Sequence, residues 1–180
     1  PITKERLFKM LQTCKDDVKG VRDRALLLIG FASALRRSAL VALDCSHVEF
    51  VPEGLILNIV RSKTDQQGAG RRIGIPYARG EHCPVGSLKS YLEQGRIDKG
   101  PVFRSLGDGG LGNDRLADHG AAFIIKPRAK LADFDPAMFS GHSLRAGFAT
   151  SAAQAGAEVW SIMHQTGHCS ETTLRRYIRE

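Results

Sequence analysis

Six residues of this chain are of types that could together transfer a phosphodiester: Arg36, Lys63, His142, Arg145, His168 and Tyr177. A covalent route needs a nucleophile, donors for the charge that gathers on the phosphorus oxygens, and an acid for the leaving oxygen. Arginine presents a fixed fork of donors that matches phosphate geometry and keeps its charge. A phenol is a weak nucleophile at neutral pH, because its unperturbed pKa is ~10. A strongly cationic pocket favours the phenolate, so the set calls for no metal.

The spacing of these residues limits where they can sit. His142 and Arg145 are three apart at the start of a predicted helix running to about Ala155, and so are expected to share a face. Leu144, Phe148 and Ala152 would seat that helix in the core. Gly167-His168 closes a second predicted helix, Glu158 to Gln165, and Ser170 can cap a third. Tyr177 follows His168 by nine residues, Arg36 lies at a junction between helices, and Lys63 follows a predicted strand.

Three segments carry a family resemblance: SALRRSAL (33–40), HSLRAGFAT (142–150) and TGHCSETTLRRY (166–177). They are similar to the conserved boxes of the tyrosine recombinase (phage integrase) family, in the family's order and over nearly the whole chain. The resemblance makes Arg36 the first catalytic arginine, Lys63 the hairpin lysine, His142 and Arg145 the His-x-x-Arg pair, His168 the Gly-His position and Tyr177 the nucleophile. It implies attack on duplex DNA to give a 3′-phosphotyrosyl link and a free 5′-hydroxyl. Lys63 would protonate the leaving 5′-oxygen, His142 is a candidate general base, and no ATP, metal or other cofactor is needed. Other protomers are implied as partners, a tetramer on DNA for the full-length protein and a monomer for this length of chain. Arg37, Arg61, Arg71 and Arg72 are expected to contact DNA, and Arg61, Arg71 and Arg72 compete with Lys63 for its role. Only one of Arg36 and Arg37 can face the phosphate, since adjacent helical residues point ~100° apart; the resemblance selects Arg36.

Two departures stand out. The acid usual three positions after the first arginine is Ala39 here, which bears on how rigidly Arg36 is held. The family's N-terminal DNA-clamping domain and its C-terminal tail are expected to be missing, leaving residues 1–180 as a single catalytic domain.

The elements that must position these groups read as mainly α with a small antiparallel β-sheet, an α+β fold. Thr3 can cap a helix carrying Leu7, Met10 and Leu11; a second helix starts near Val21, and Ser38 can cap a short third. Segments 47–51 and 55–60, split by Pro52-Glu53-Gly54, and then 71–77 are β-rich. Pro84 can start a helix through Leu88, Tyr91 and Leu92. The Gly-rich stretch 107–113 reads as a loop and connector, and a helix over 117–131 contains Pro127. Trp160, with Val159, Ile162 and Met163, is expected in the core.

A net charge of +7 over 180 residues favours a polyanionic partner. The longest apolar run, Ala25 to Leu35, is interrupted by Gly30 and Ser33, far short of a membrane span. A cytoplasmic protein of bacterial or phage type, on the nucleoid when acting, fits both. Four scattered cysteines without a CxxC read as free thiols, and neither they nor His164 with His168 have zinc-site spacing. Two other functions are compatible with the set: DNA relaxation of the type IB topoisomerase kind, and a DNA-binding domain whose catalysis has lapsed. The TGH…Tyr spacing resembles the recombinases more closely than the topoisomerases, and six residues in order argue against a lapse.

Overall fold

The computed structural model describes residues 1–59 and 70–178. The helices are α1 (Lys4–Gln12), α2 (Val18–Ser33), α3 (Arg37–Val41), α4 (Pro84–Gln94), α5 (Gly120–Leu131), α6 (Ser143–Gln154), α7 (Val159–Thr166) and α8 (Glu171–Arg175). The strands are β1 (Val48–Val51), β2 (Gly54–Ile59), β3 (Arg71–Pro76), β4 (Arg104–Gly107) and β5 (Gly110–Arg115). β1, β2 and β3 form an antiparallel sheet in that order, with Val48 opposite Leu57 and Leu55 opposite Ile75. The mainly helical α+β reading therefore holds. No helix among the described residues is long and apolar enough to cross a membrane.

α2 is the axis of the fold. Ala25 through Gly30 are all buried, so this helix is covered all round rather than on one stripe. α6 and α3 cross it at Gly30, where a side chain would run into Leu144 and Leu40. That close crossing sets α6, the helix of Arg145, directly against the core. On the other side of the fold, Asp23 is 2% exposed and bridges two buried guanidiniums. Its Oδ1 accepts from Arg22 Nη2 at 2.8 Å, and its Oδ2 from Arg128 Nη2 at 2.8 Å. Arg22 also donates to the Arg104 carbonyl and Arg128 to that of Thr13, so α2, α5 and the start of β4 share one polar knot.

Several sequence expectations need correction. α2 starts three residues before Val21, because Asp17 caps it by accepting from the Gly20 N–H at 2.7 Å. Thr3 occupies the N-cap position of α1 without a side-chain cap bond. Ser38 caps nothing: Arg36, in extended backbone, stands at the N-cap of α3, and the helix begins at Arg37. The Gly-rich stretch is no loose connector but a hairpin, β4–β5, closed by Asp108-Gly109 between the paired Gly107 and Gly110, a two-residue turn that Asp-Gly favours. α5 begins at Gly120 after a turn and carries Pro127 inside it without ending there. Trp160 is not core at all; it is 70% exposed. Ile162 and Thr166 are the α7 residues turned inward, and a residue two positions from Ile162 on a helix points ~200° from it.

Candidate active site

Arg145 is the largest fully buried side chain, at 1% exposure. Its position in the first turn of α6 aims it at the junction of α2, α3 and the end of α7. Nη1 donates to the carbonyl of Ala34 at 2.8 Å and to that of Thr166, while Nη2 donates to His168 Nε2 at 3.0 Å. Nε is buried without a partner. The Ala34 carbonyl is available because Ala34 ends α2 in the left-handed region, φ 50°, ψ 26°. Burial, then the nearby charges of Arg36 and Arg71, push Arg145 down to about 10, with Tyr177 opposing. The guanidinium thus keeps its charge at neutral pH.

His168 is aimed by a sharp turn. Gly167 ends α7 at φ +70°, with its N–H on the Met163 carbonyl at 2.7 Å. The chain then reverses into α8, where Ser170 accepts from the Thr173 N–H. A side chain at Gly167 would collide with Arg71, whose guanidinium lies directly over that turn. The imidazole is 7% exposed, with Nδ1 2.7 Å from Thr166 Oγ1. Burial, followed by Arg145, Arg36 and Arg71, lowers its pKa to about 4.

A pH dependence follows. A base whose pKa drops on folding binds fewer protons in the folded state, so acid favours unfolding. The contribution is complete above the ordinary value of 6.5 and is lost as pH falls toward about 4. In thermal melts across that interval, His168→Gln is expected to lose less stability than the wild type. An identical decline in both proteins would contradict the assignment.

Tyr177 lies half-buried against this pair. Its ring centroid is 4.7 Å from that of His168, and the Arg145 guanidinium carbon is 5.4 Å from its centre. The segment is held by Leu174, fully buried among Ala149 and Ile162, and by Thr150 Oγ1 donating to the Tyr177 carbonyl at 3.3 Å.

The other expected residues divide. Arg36 is half-buried and close enough to depress Arg145, His168 and Arg71. Among the described residues, no carboxylate joins the groups acting on those three. His142 does not join them: it is exposed at the N-cap of α6 and shares no bond with Arg145 or His168. It lines, with Met138, Ser140 and Tyr177, a cleft of about 370 Å³. Its backbone is helical, with its carbonyl accepting from the Ala146 N–H at 3.1 Å, and it differs from Arg145 in exposure. Arg37 pairs with Asp118 at 2.8 Å and Arg72, exposed, with Glu49 at 3.3 Å. Lys63 and Arg61 lie outside the described residues. Cys14 and Cys83 are buried, Cys45 is half-buried and Cys169 exposed, all as free thiols.

Arg71 is half-buried and belongs to the cationic cluster with Arg36 and Arg145. Strand parity could have shown this, since Ile73 and Ile75 are buried and Arg71 shares their face of β3. Thr166 and Ala34 were missed altogether; of these only Thr166 had a signal, its place directly before Gly167-His168.

Comparison with known proteins agrees with this picture. The pattern of the phage integrase family matches residues 1–180. An integrase/recombinase XerD homolog of Selenomonas ruminantium is 43% identical over 183 residues, covering 100% of this chain and 54% of the relative. A tyrosine recombinase XerC of Herpetosiphon aurantiacus is 30% identical over 167 residues, covering 88% and 48%. The crystal structure of XerA recombinase superposes with a TM-score of 0.74 at 22% identity, over 99% of this chain and 58% of that one. XerH recombinase bound to a palindromic difH substrate, a post-cleavage complex, gives 0.75 at 17%, over 97% and 48%. The chain spans about half the length of the curated relatives it matches.

Proposed function

The chain belongs to the phage integrase family, and from that premise we propose that it is the catalytic part of a tyrosine recombinase that cuts and rejoins duplex DNA. The observation that carries the reading is the convergence of Arg36, Arg71, Arg145 and a neutral imidazole beside a phenol, with no carboxylate of the described residues among the groups acting on Arg71, Arg145 and His168. Among the described residues these mutually repelling cations have no counter-charge, and a phosphodiester would supply one.

In this mechanism Tyr177 Oη attacks the scissile phosphorus and the 5′-oxygen departs, leaving a 3′-phosphotyrosyl bond. Arg36 and Arg145 stabilise the charge on the two non-bridging oxygens. His142, across the cleft from the core pair, is a candidate base, and Lys63 is assigned the proton for the leaving oxygen. A 5′-hydroxyl from a second duplex reverses the step and conserves the bond energy. The working assembly is several protomers on DNA, in the cytoplasm and on the nucleoid, without metal or nucleotide cofactor.

The test is a nicked suicide duplex, incubated with the protein at low salt and resolved under denaturing conditions. The expected result is a denaturant-resistant protein–DNA adduct that forms equally well with chelator present. Binding without an adduct would reduce the chain to a DNA-binding domain. Relaxation of supercoiled plasmid without strand exchange would move it to the topoisomerase reading.

A further inference from the structure

Arg36 stands where its own helix does little to hold it. It occupies the N-cap position of α3 in extended backbone, with no side-chain bond to the helix. Three positions on, Ala39 has only a methyl group to offer. α3 itself is five residues long, too short to persist by its own hydrogen bonds. Segment 115–118, which links β5 to α5, supplies the hold. Arg115 Nη1 donates to the carbonyls of Val41 and Leu43, at 2.9 and 3.2 Å, where α3 ends, and Nη2 bonds Asp44 at 2.5 Å. Three residues later Asp118 accepts from Arg37 Nη2 at 2.8 Å, where α3 begins. Between them Leu116, 7% exposed, roots the segment in the core, its N–H on the Phe103 carbonyl at 2.8 Å.

Arg37 carries this hold across to α6. Its stem lies against Gly141, where a Cβ would come within 2.3 Å of Cδ and 3.0 Å of Cγ. Its Nε is buried there without a partner among the described residues, closed off from solvent, and Nη2 ends on Asp118. Gly141 directly precedes His142, as Arg37 directly follows Arg36. We propose that Asp118 and Arg115 are positioning residues, a bracket on the two ends of α3 that sets Arg36 in the site, with Arg37 as a strut between Asp118 and Gly141 and not a DNA contact. The effect on strand cleavage rests on the function proposed for the site; the bracket does not.

The sign of one substitution separates this role from plain electrostatics. Removing a carboxylate beside a phosphate-binding face leaves DNA affinity unchanged or raises it. The bracket predicts slower chemistry from the same change, because a displaced Arg36 costs rate. The Arg37–Asp118 pair is 32% and 54% exposed, so the fold does not depend on it.

Three measurements test it: duplex binding across a salt series, adduct rate on the suicide duplex, and amide exchange of Leu40, whose N–H bonds the Arg36 carbonyl at 3.0 Å. Asp118→Ala is expected to bind as tightly as wild type or tighter, to form adduct on the order of 10-fold more slowly, and to exchange Leu40 faster. Arg115→Met, at the other end of α3, is expected to slow the adduct and speed the exchange in the same way. Asp118→Asn and the charge swap Arg37→Glu with Asp118→Arg are expected to recover most of both. Arg37→Met, which keeps the stem, is expected to keep the wild-type salt slope. A slope smaller by about 1 would make Arg37 a phosphate contact and overturn the proposal, as would wild-type Leu40 exchange or a wild-type adduct rate in Asp118→Ala. If the wild type forms no adduct, the strand-cleavage reading falls instead, and Leu40 exchange still decides the bracket.

Discussion

Replacing Tyr177 with phenylalanine is expected to leave a folded chain that binds duplex DNA and forms no covalent adduct. It should fold because most contacts of Tyr177 come from its ring and backbone, the hydroxyl adding a hydrogen bond with Arg145. The ring stacks on His168 and Arg145, the N–H bonds the Leu174 carbonyl at 2.8 Å, and the carbonyl accepts from Thr150. Phenylalanine keeps all of these and loses only the hydroxyl's bond to the Arg145 guanidinium, so the stability cost should be about 1.5–3 kcal/mol. Chemistry loses everything, because no other atom of residue 177 can attack phosphorus. The measurement is adduct yield on the suicide duplex alongside a thermal melt. A persisting adduct would remove Tyr177 as nucleophile; the exposed thiol of Cys169, adjacent to His168, would then be tested as Cys169→Ser.

The second large effect lies away from the chemistry. Asp23→Ala leaves Arg22 and Arg128, each 6% exposed, without their shared carboxylate. Removing one partner of a buried ion pair typically costs about 3–5 kcal/mol, since the remaining charge is stranded in a poor solvent. For a chain of this size that corresponds to a melting temperature lower by roughly 6–20 °C. Asp23→Asn, which keeps an acceptor oxygen, is expected to fall between. Urea denaturation gives the comparison directly, and a midpoint within error of wild type for Asp23→Ala would contradict the stabilising role of the knot. Adduct formation per folded molecule should not change, which separates this cluster from the active site.

Much of the scaffold is legible because its signals are local. Leu7, Met10 and Leu11 recur at helical spacing, Pro84 opens α4, and the paired strands are rich in Ile and Val. The failures come where tertiary context decides. Trp160 looks like core by residue type, yet α7 is eight residues long and turns Ile162 and Thr166 inward. The β4–β5 hairpin hides in glycines because its Asp-Gly turn is flanked by weak strand formers.

The site shows the same division. Arg145, His168 and Tyr177 can be placed together from their order, because a helix, a Gly turn and a short capped helix leave few other arrangements. His142 shows what spacing leaves open: three residues from Arg145 and with helical backbone, it is exposed while Arg145 is buried. Arg71 reaches the cluster through strand parity and pairing across the sheet, which no motif near it announces. Thr166 meets His168 through one hydroxyl bond, and such a bond is visible only once Ile162, His168 and Arg145 are placed around it.

The left-handed turn at Ala34 bears on how proteins of this design can lose activity by drift. Ala34 is fully buried and has no functional group, and its share in the site is a carbonyl oxygen. A tally of catalytic side chains would pass it over. Valine or isoleucine there would be disfavoured in that backbone region and would tilt the peptide away from Arg145. A sequence could therefore keep all six residues proposed to act on DNA and still be inert, its defect written in a methyl-bearing position that no motif inspects.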